Sequence, residues 1–377
     1  MIMSYRLAME GFVLCLVISM EILGTAAAGV LQPRPMYVFG DSTLDVGNNN
    51  FLTGTNVPRA NMPSYGVDFP GFPTGRFSNG RNTADFIAKK IGFASSPPPY
   101  LLLASSSSLV APTALTIGMS YASGGAGILD STNAGNNIPL LKQVQYFNAT
   151  KSKMVAAAGS GSSVSAQQLA KSLVLVGIGG NDLSVFANAE QAQNKSAADL
   201  QSDTAAFYGS LISNYSAAIR DLYMLGARKF AIISVGLAGC LPVARVLDAA
   251  GACSGRRNQL AAGFNDALRS LLASLAARLP GLTYSVADSL GLMVDTFADP
   301  EASGFTDIAD ACCGGGRLGA EEGCSPNATL CANRDQYYFW DAVHPTQRAA
   351  FLRAQAFYDG PAKYTTPISF KQLLWST

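Results

Sequence analysis

Leu173-Val-Leu-Val-Gly-Ile178 is apolar at every position. A strand with one face in water alternates apolar and polar residues, so an unbroken apolar run has both faces covered. A parallel sheet packed between helices meets that condition, which narrows the chain to the α/β class. Four more short runs fit: Met36-Tyr-Val-Phe-Gly40, Thr116-Ile-Gly-Met-Ser-Tyr-Ala122, Lys229-Phe-Ala-Ile-Ile-Ser-Val235 and Leu282-Thr-Tyr-Ser-Val286. Helical stripes separate several of them. Phe86, Ile87 and Ile91 share a face over 83–91. Leu200, Phe207, Leu211, Tyr215, Ala218, Leu222 and Leu225 recur at helical spacing over 198–225, with Gly226 as the stop. Leu260, Phe264, Leu268, Leu271, Leu275 and Leu279 do so over 256–279. Strands alternating with helices, joined by right-handed crossovers, predict a three-layer α/β/α fold around a five-stranded parallel sheet. Residues 94–113, rich in Ser and Pro, yield no element.

Polar residues arrive where the first three runs end. Asp41-Ser42-Thr43 follows the first, succeeded by Asp45 through Asn50, a polar run unsuited to a core. Ser123-Gly-Gly-Ala-Gly127 follows the second and Gly179-Gly180-Asn181-Asp182 the third. The C-terminal edge of an open α/β sheet is where ligands bind. Each segment also has a structural reading: Ser42 as a helix N-cap, Gly-Gly-Asn-Asp as a turn. A dinucleotide site is disfavoured, because no loop carries the full Gly-x-Gly-x-x-Gly fingerprint. The Pro- and Gly-rich loop over 56–82 has the length of a site wall.

The chain holds one histidine, His344. Imidazole is the side chain whose ordinary pKa lies near neutrality, so acid–base chemistry there falls to His344. Asp341 stands three residues upstream, within reach of a ring nitrogen, and Pro345 prevents a helix from continuing. Ester cleavage by a serine needs a base, a carboxylate to orient it and donors for the oxyanion. Ser42, His344 and Asp341 supply the first two requirements. The Ser42 N–H, a backbone N–H of Gly124 or Gly125, and the Asn181 amide supply the third.

Arg6, the apolar run Gly11–Ser19 and the small residues Thr25–Ala28 read as a secretory leader, expected over 1–28, with one hydrolase domain over 29–377. No later stretch has the length of a membrane span. A net charge of +1 gives no electrostatic footprint for nucleic acid. Cys15 falls in the leader. The remaining Cys240, Cys253, Cys312, Cys313, Cys324 and Cys331 form an even set that reads as disulfides in a secreted chain. Local spacing suggests Cys240 with Cys253, and Cys312 and Cys313 with Cys324 and Cys331, the pairing among those four left open. Zinc is the competing reading, weakened by the lack of Cys-x-x-Cys. Asn148, Asn194, Asn214 and Asn327 head glycosylation sequons.

Four blocks in order carry a family resemblance: Phe39-Gly-Asp-Ser42 with Asp45-Val-Gly-Asn-Asn-Asn50, Tyr121-Ala-Ser-Gly-Gly-Ala-Gly127, Gly179-Gly-Asn-Asp182 and Asp341-x-x-His344. Together they resemble GDSL-type esterase/lipases, the SGNH hydrolases. Thr74-Gly-Arg-Phe-Ser-Asn-Gly-Arg81, Leu225-Gly-Ala-Arg-Lys229, Gly239-Cys-Leu-Pro242 and Cys312-Cys-Gly314 point to the secreted plant branch. The resemblance implies an SGNH/flavodoxin-like fold and a carboxylic ester hydrolase acting without a cofactor or metal. It makes Ser42 the nucleophile, His344 the base and Asp341 its orienter. The oxyanion donors would be Asn181 and a block-two glycine, Gly124 ahead of Gly125. Thr43 stands where Leu is usual, and Ser120 where Asn often stands. The expected substrate is a lipid or small-molecule ester and the expected location extracellular, the cell wall in a plant. No obligate protein partner is inferred. Acyl transfer and carbohydrate O-deacetylation by the same site are the alternatives within enzymes; a catalytically silent binding protein is the alternative outside them.

Overall fold

In the computed structural model, residues 33–104, 107–158, 164–193 and 196–376 are described. The expected leader, including Cys15, and the Asn194 sequon lie outside the described residues. Residues Arg34–Thr377 form one unit by their contacts.

The sheet is built from β1 (Met36–Gly40), β2 (Gly118–Ser120), β3 (Leu173–Gly177), β4 (Lys229–Ile233) and β5 (Thr283–Ala287), all parallel. A sixth strand, β8 (Thr365–Thr366), closes the edge antiparallel to β5, in the order β2-β1-β3-β4-β5-β8. The five-stranded expectation thus falls one strand short. Two residues leave no periodicity to read.

Successive side chains of these apolar strands point to opposite faces, so both faces are covered. Tyr37 and Phe39 of β1 point to one side, with Val174, Val176, Phe230 and Ile232 from its neighbours. There they meet Leu211, Tyr215 and Phe264 from the long helices Ala197–Met224 and Gly255–Arg278. Met36 and Val38 point to the other side and meet Ile87 of the helix Thr83–Ile91 and Phe357 of the helix Gln347–Asp359. Truncating a buried aromatic such as Phe39 to Ala would cost about 3–5 kcal/mol.

The second run departs from expectation. Residues Ser107–Thr116 form a helix, so Thr116 ends that helix and the strand begins only at Gly118. A second short helix, Tyr100–Leu103, lies in the same Ser- and Pro-rich stretch. Val110, Ala111 and Ala114 supply the buried face of the helix Ser107–Thr116. The segment over 301–335 also holds β6 (Asp307–Ala311), which pairs in parallel with β7 (Tyr337–Phe339) as a separate small sheet.

This topology positions the site. β1 lies between β2 and β3, so the connections leaving β1 and β3 diverge at one crevice on the sheet's C-terminal edge. Ser42 follows β1, Gly124 and Gly125 follow β2, and Asn181 follows β3.

Candidate active site

The loop after β1 turns sharply at Gly40. Its φ is +155°, and a Cβ there would lie 2.4 Å from the Gly177 carbonyl oxygen, so a side chain is excluded. Buried Gln143 grips this residue from both sides: its Oε1 accepts from Gly40 N and its Nε2 donates to Gly40 O, each at 2.8 Å. Ser42, two residues on, is 8% exposed. The Thr43 hydroxyl donates to Asp41 Oδ1 at 2.7 Å, a bond that leucine could not make.

The Asp341–His344 segment arrives from the last loop. Asp341 Oδ1 accepts from the backbone N–H groups of Val343 and His344 at 2.9 and 2.8 Å. Its carboxylate faces Nδ1 of His344 at 2.8 Å, and Nε2 of the same ring lies 2.7 Å from Ser42 Oγ. Serine, imidazole and carboxylate thus stand in one hydrogen-bonded line. Burial works against a charged imidazole, but the Asp341 charge, its hydrogen bond and the more remote Asp41 outweigh it and raise the His344 pKa. Burial likewise disfavours the Asp341 anion, and the His344 charge and hydrogen bonds overcome it, holding that carboxyl below its usual range.

The donor side is assembled by residues of the polar run. Far from avoiding the core, Asp45, Asn48 and Asn49 are buried. Asn48 Nδ2 donates to the carbonyls of Ser120 and Ala122, and Asn49 Nδ2 to that of Gly124, all at 2.9 Å. Asp45 Oδ2 accepts the Gly124 N–H at 3.0 Å. The donor of Gly124 is therefore spent. The N–H groups of Ser42 and Gly125 have no acceptor among the described residues. Asn181 sits in the first turn of the helix Gly180–Gln191, and one hydrogen of its amide goes to Ala126 O at 2.9 Å, which orients the group. Asp182 ties the same loops together by accepting from Ile128 N, Leu129 N and the Thr132 hydroxyl. Ser120 is fully buried, and its hydroxyl has no partner among the described residues.

A model of the GDSL-like lipase/acylhydrolase family matches residues 36–357. The chain belongs to this family. A GDSL esterase/lipase of Arabidopsis thaliana, At5g55050, is 36% identical over 93% of this chain and 92% of its own. The Arabidopsis GDSL esterase/lipase LTL1 is also 36% identical, over 93% and 94%. A third, At1g71250, is 34% identical over 96% of both chains. As a GDSL hydrolase the chain is a carboxylic ester hydrolase.

Two residues beside the His344–Asp341 pair of this GDSL hydrolase had no role assigned from the sequence. Tyr65, from the Pro- and Gly-rich loop, donates its hydroxyl to Asp341 Oδ2 at 2.9 Å. Phe77, from the same loop, packs its ring 4.9 Å from that of His344, and its edge would lie 2.6 Å from a Cβ on Gly124. Phe77 lies inside Thr74–Arg81, which was a signal; nothing marked Tyr65. The loop is fixed by a buried ion pair, Arg76 Nε and Nη2 on Asp85 at 2.7 and 2.8 Å.

The disulfides are Cys240–Cys253, Cys312–Cys331 and Cys313–Cys324. The last two brace the segment that leads into Asp341 and His344: Cys312 N donates to Phe339 O at 3.1 Å and Cys313 N to Trp340 O at 2.6 Å. Among the described residues no cluster of His, Cys, Asp or Glu could hold a metal, and no helix is long and apolar enough to cross a membrane. Asn148 and Asn327 are exposed; Asn214 is half-buried on its helix and bonds the Ser210 carbonyl.

Proposed function

We propose that this GDSL hydrolase is a secreted serine esterase or lipase that cleaves lipid or small acyl esters through an acyl-enzyme on Ser42. The observation that carries the reading is the continuous contact from Ser42 Oγ through both nitrogens of His344 to Asp341. Neutral His344 takes the Ser42 proton at Nε2 while Oγ attacks the ester carbonyl carbon. The displaced electron pair settles on the carbonyl oxygen, held by the N–H groups of Ser42 and Gly125 and by the Asn181 amide. One such donor is worth roughly 3–4 kcal/mol in the transition state. Asp341 balances the imidazolium that forms. Collapse breaks the carbon–oxygen bond, and the departing alkoxide takes the proton from His344. Water then repeats the sequence: it gives a proton to His344, attacks the acyl carbon and releases the acid, and Ser42 regains its proton.

Secretion rests on the three disulfides, which persist in oxidising compartments, and on the N-terminal leader pattern. The test of the site is Ser42→Ala. The variant is expected to remain folded, to lose turnover of para-nitrophenyl esters and to lose labelling by a fluorophosphonate probe. Labelling and turnover at the parent level would remove Ser42 from the proposed role.

A further inference from the structure

Beside Ser42 lies a chamber of about 130 Å³. Ile178, Ile233, Leu237, Met293 and Phe339 make most of its wall apolar. Asp41, Tyr338 and Arg353 share that wall. Tyr338 is 4% exposed, and its hydroxyl has no hydrogen-bond partner among the described residues. Nε of Arg353, on the helix Gln347–Asp359, also has none, although its Nη2 makes one long contact with Ser289 Oγ at 3.4 Å. Asp41, Tyr338 and Arg353 line the same chamber, which puts the three groups in one neighbourhood.

Buried donors are nearly always paired, and exceptions ask for a reason. Here two unpaired donors, from separate elements, line a single chamber that contains the proposed nucleophile. Arginine can only donate, and the tyrosine hydroxyl can donate as well. Both therefore suit an acceptor oxygen.

We propose that this chamber is an acyl subsite selecting acyl chains that carry a neutral acceptor oxygen, such as a ketone, ether or hydroxyl, held by Tyr338 and Arg353. The inference rests on the esterase reading above. The acyl arm is assigned because the leaving alcohol must lie against the His344 ring, and the chamber wall includes Ser42 and Asn181 but not that ring. Neutrality follows from Asp41. Its carboxylate shares the chamber wall with Arg353, and a second carboxylate brought beside it would be repelled.

The experiment compares para-nitrophenyl pentanoate, para-nitrophenyl levulinate, which has a ketone oxygen on the same five-carbon chain, and the mono-ester of succinate. kcat/KM is measured for the parent, Tyr338→Phe, Arg353→Met and Arg353→Lys. The parent is expected to favour levulinate over pentanoate, with no such preference for succinate. Tyr338→Phe and Arg353→Met should each shrink the levulinate-to-pentanoate ratio by about tenfold, the scale of one hydrogen bond. Arg353→Lys should retain part of it. Comparing ratios between variants removes the intrinsic reactivity of each ester. Equal losses on levulinate and pentanoate, as expected if the two donors merely hold water, would overturn the subsite and leave the esterase reading standing. A parent that hydrolyses none of these esters and whose Ser42 takes no fluorophosphonate would instead overturn the esterase reading itself.

Discussion

The Tyr65 hydroxyl donates to Oδ2 of Asp341 at 2.9 Å, while Oδ1 of the same carboxylate accepts from the backbone of His344. The carboxylate is thus held from the loop in front and from its own turn behind, which leaves it one orientation toward the imidazole. Burial pushes the tyrosine hydroxyl pKa up, reinforced by the neighbouring Asp341 charge, so Tyr65 stays a proton donor throughout the working range. Tyr65→Phe removes a donor from a charged acceptor, and we expect kcat to fall about tenfold. With one donor fewer, Asp341 pulls harder on the imidazole proton. The acid limb of kcat/KM should therefore move to higher pH. An unchanged rate and limb would show that the contact is idle.

Asp341→Asn should move the same limb the other way. His344 must be neutral to act as base, and its pKa is raised above 6.5, chiefly by Asp341 against the opposing effect of burial. Activity is thus lost as pH falls through a value above 6.5. The stability that the charged pair contributes has the reverse dependence: it is fully present below the unfolded value and disappears as pH rises through the folded one. Removing the carboxylate abolishes the upward shift and frees the ring to take the wrong tautomer. In the serine-protease template the equivalent change lowers kcat by about 10⁴. The profile of Asp341→Asn against the parent, together with inactivity of His344→Ala, checks this.

Asp45 adds a second titration on the acid side. Its burial, opposed by hydrogen bonds from Gly47, Asn48 and Gly124, pushes it up to about 6. The anion accepts the Gly124 N–H, so its protonation loosens the loop that carries the Gly125 donor. The acid limb should be steeper than a single ionisation gives. Asp45→Asn sets an amide against three backbone donors and is expected to lower kcat by ~10–100-fold, within the range for a disturbed oxyanion donor, with little change in KM. A parent-like kcat with normal folding would count against the strut.

Cys313→Ser with Cys324→Ser removes the bridge that supports the Trp340 backbone. A native disulfide is typically worth about 2–5 kcal/mol, so the melting temperature should drop. Because Cys313 N bonds Trp340 O, one residue before Asp341, kcat should drop too, at temperatures where the variant remains folded. Loss of stability with kcat intact would separate the bridge from the site.

The parallel strands were legible because Leu173–Ile178 is apolar throughout and the other runs largely so, and the lone histidine pointed to Asp341 and to a hydroxyl at a strand end. What escaped has identifiable reasons. The helix Leu140–Ala158 buries Gln143 and Thr150, which bond Gly40 and Tyr121, so its inward stripe is partly polar and defeats a hydrophobic period. The helix Ser107–Thr116 contains Pro112 and is led by serines, which read as a loop. The polar run Asp45–Asn50 was set outside the core on composition, whereas Asp45, Asn48 and Asn49 are buried and satisfy main-chain groups of the β2 loop. Tyr65 lies in an aperiodic loop, and its partner is 276 positions away.

The imidazole and the hydroxyl it contacts are 302 positions apart. During synthesis the β1 loop is made long before the imidazole exists. On the proposed roles, a growing polypeptide, or one clipped ahead of Asp341, carries an inert serine, whatever the state of its sheet. The proposed reactivity then waits on the loop that follows β7, which would spare the cell from a half-built acyl-transfer site.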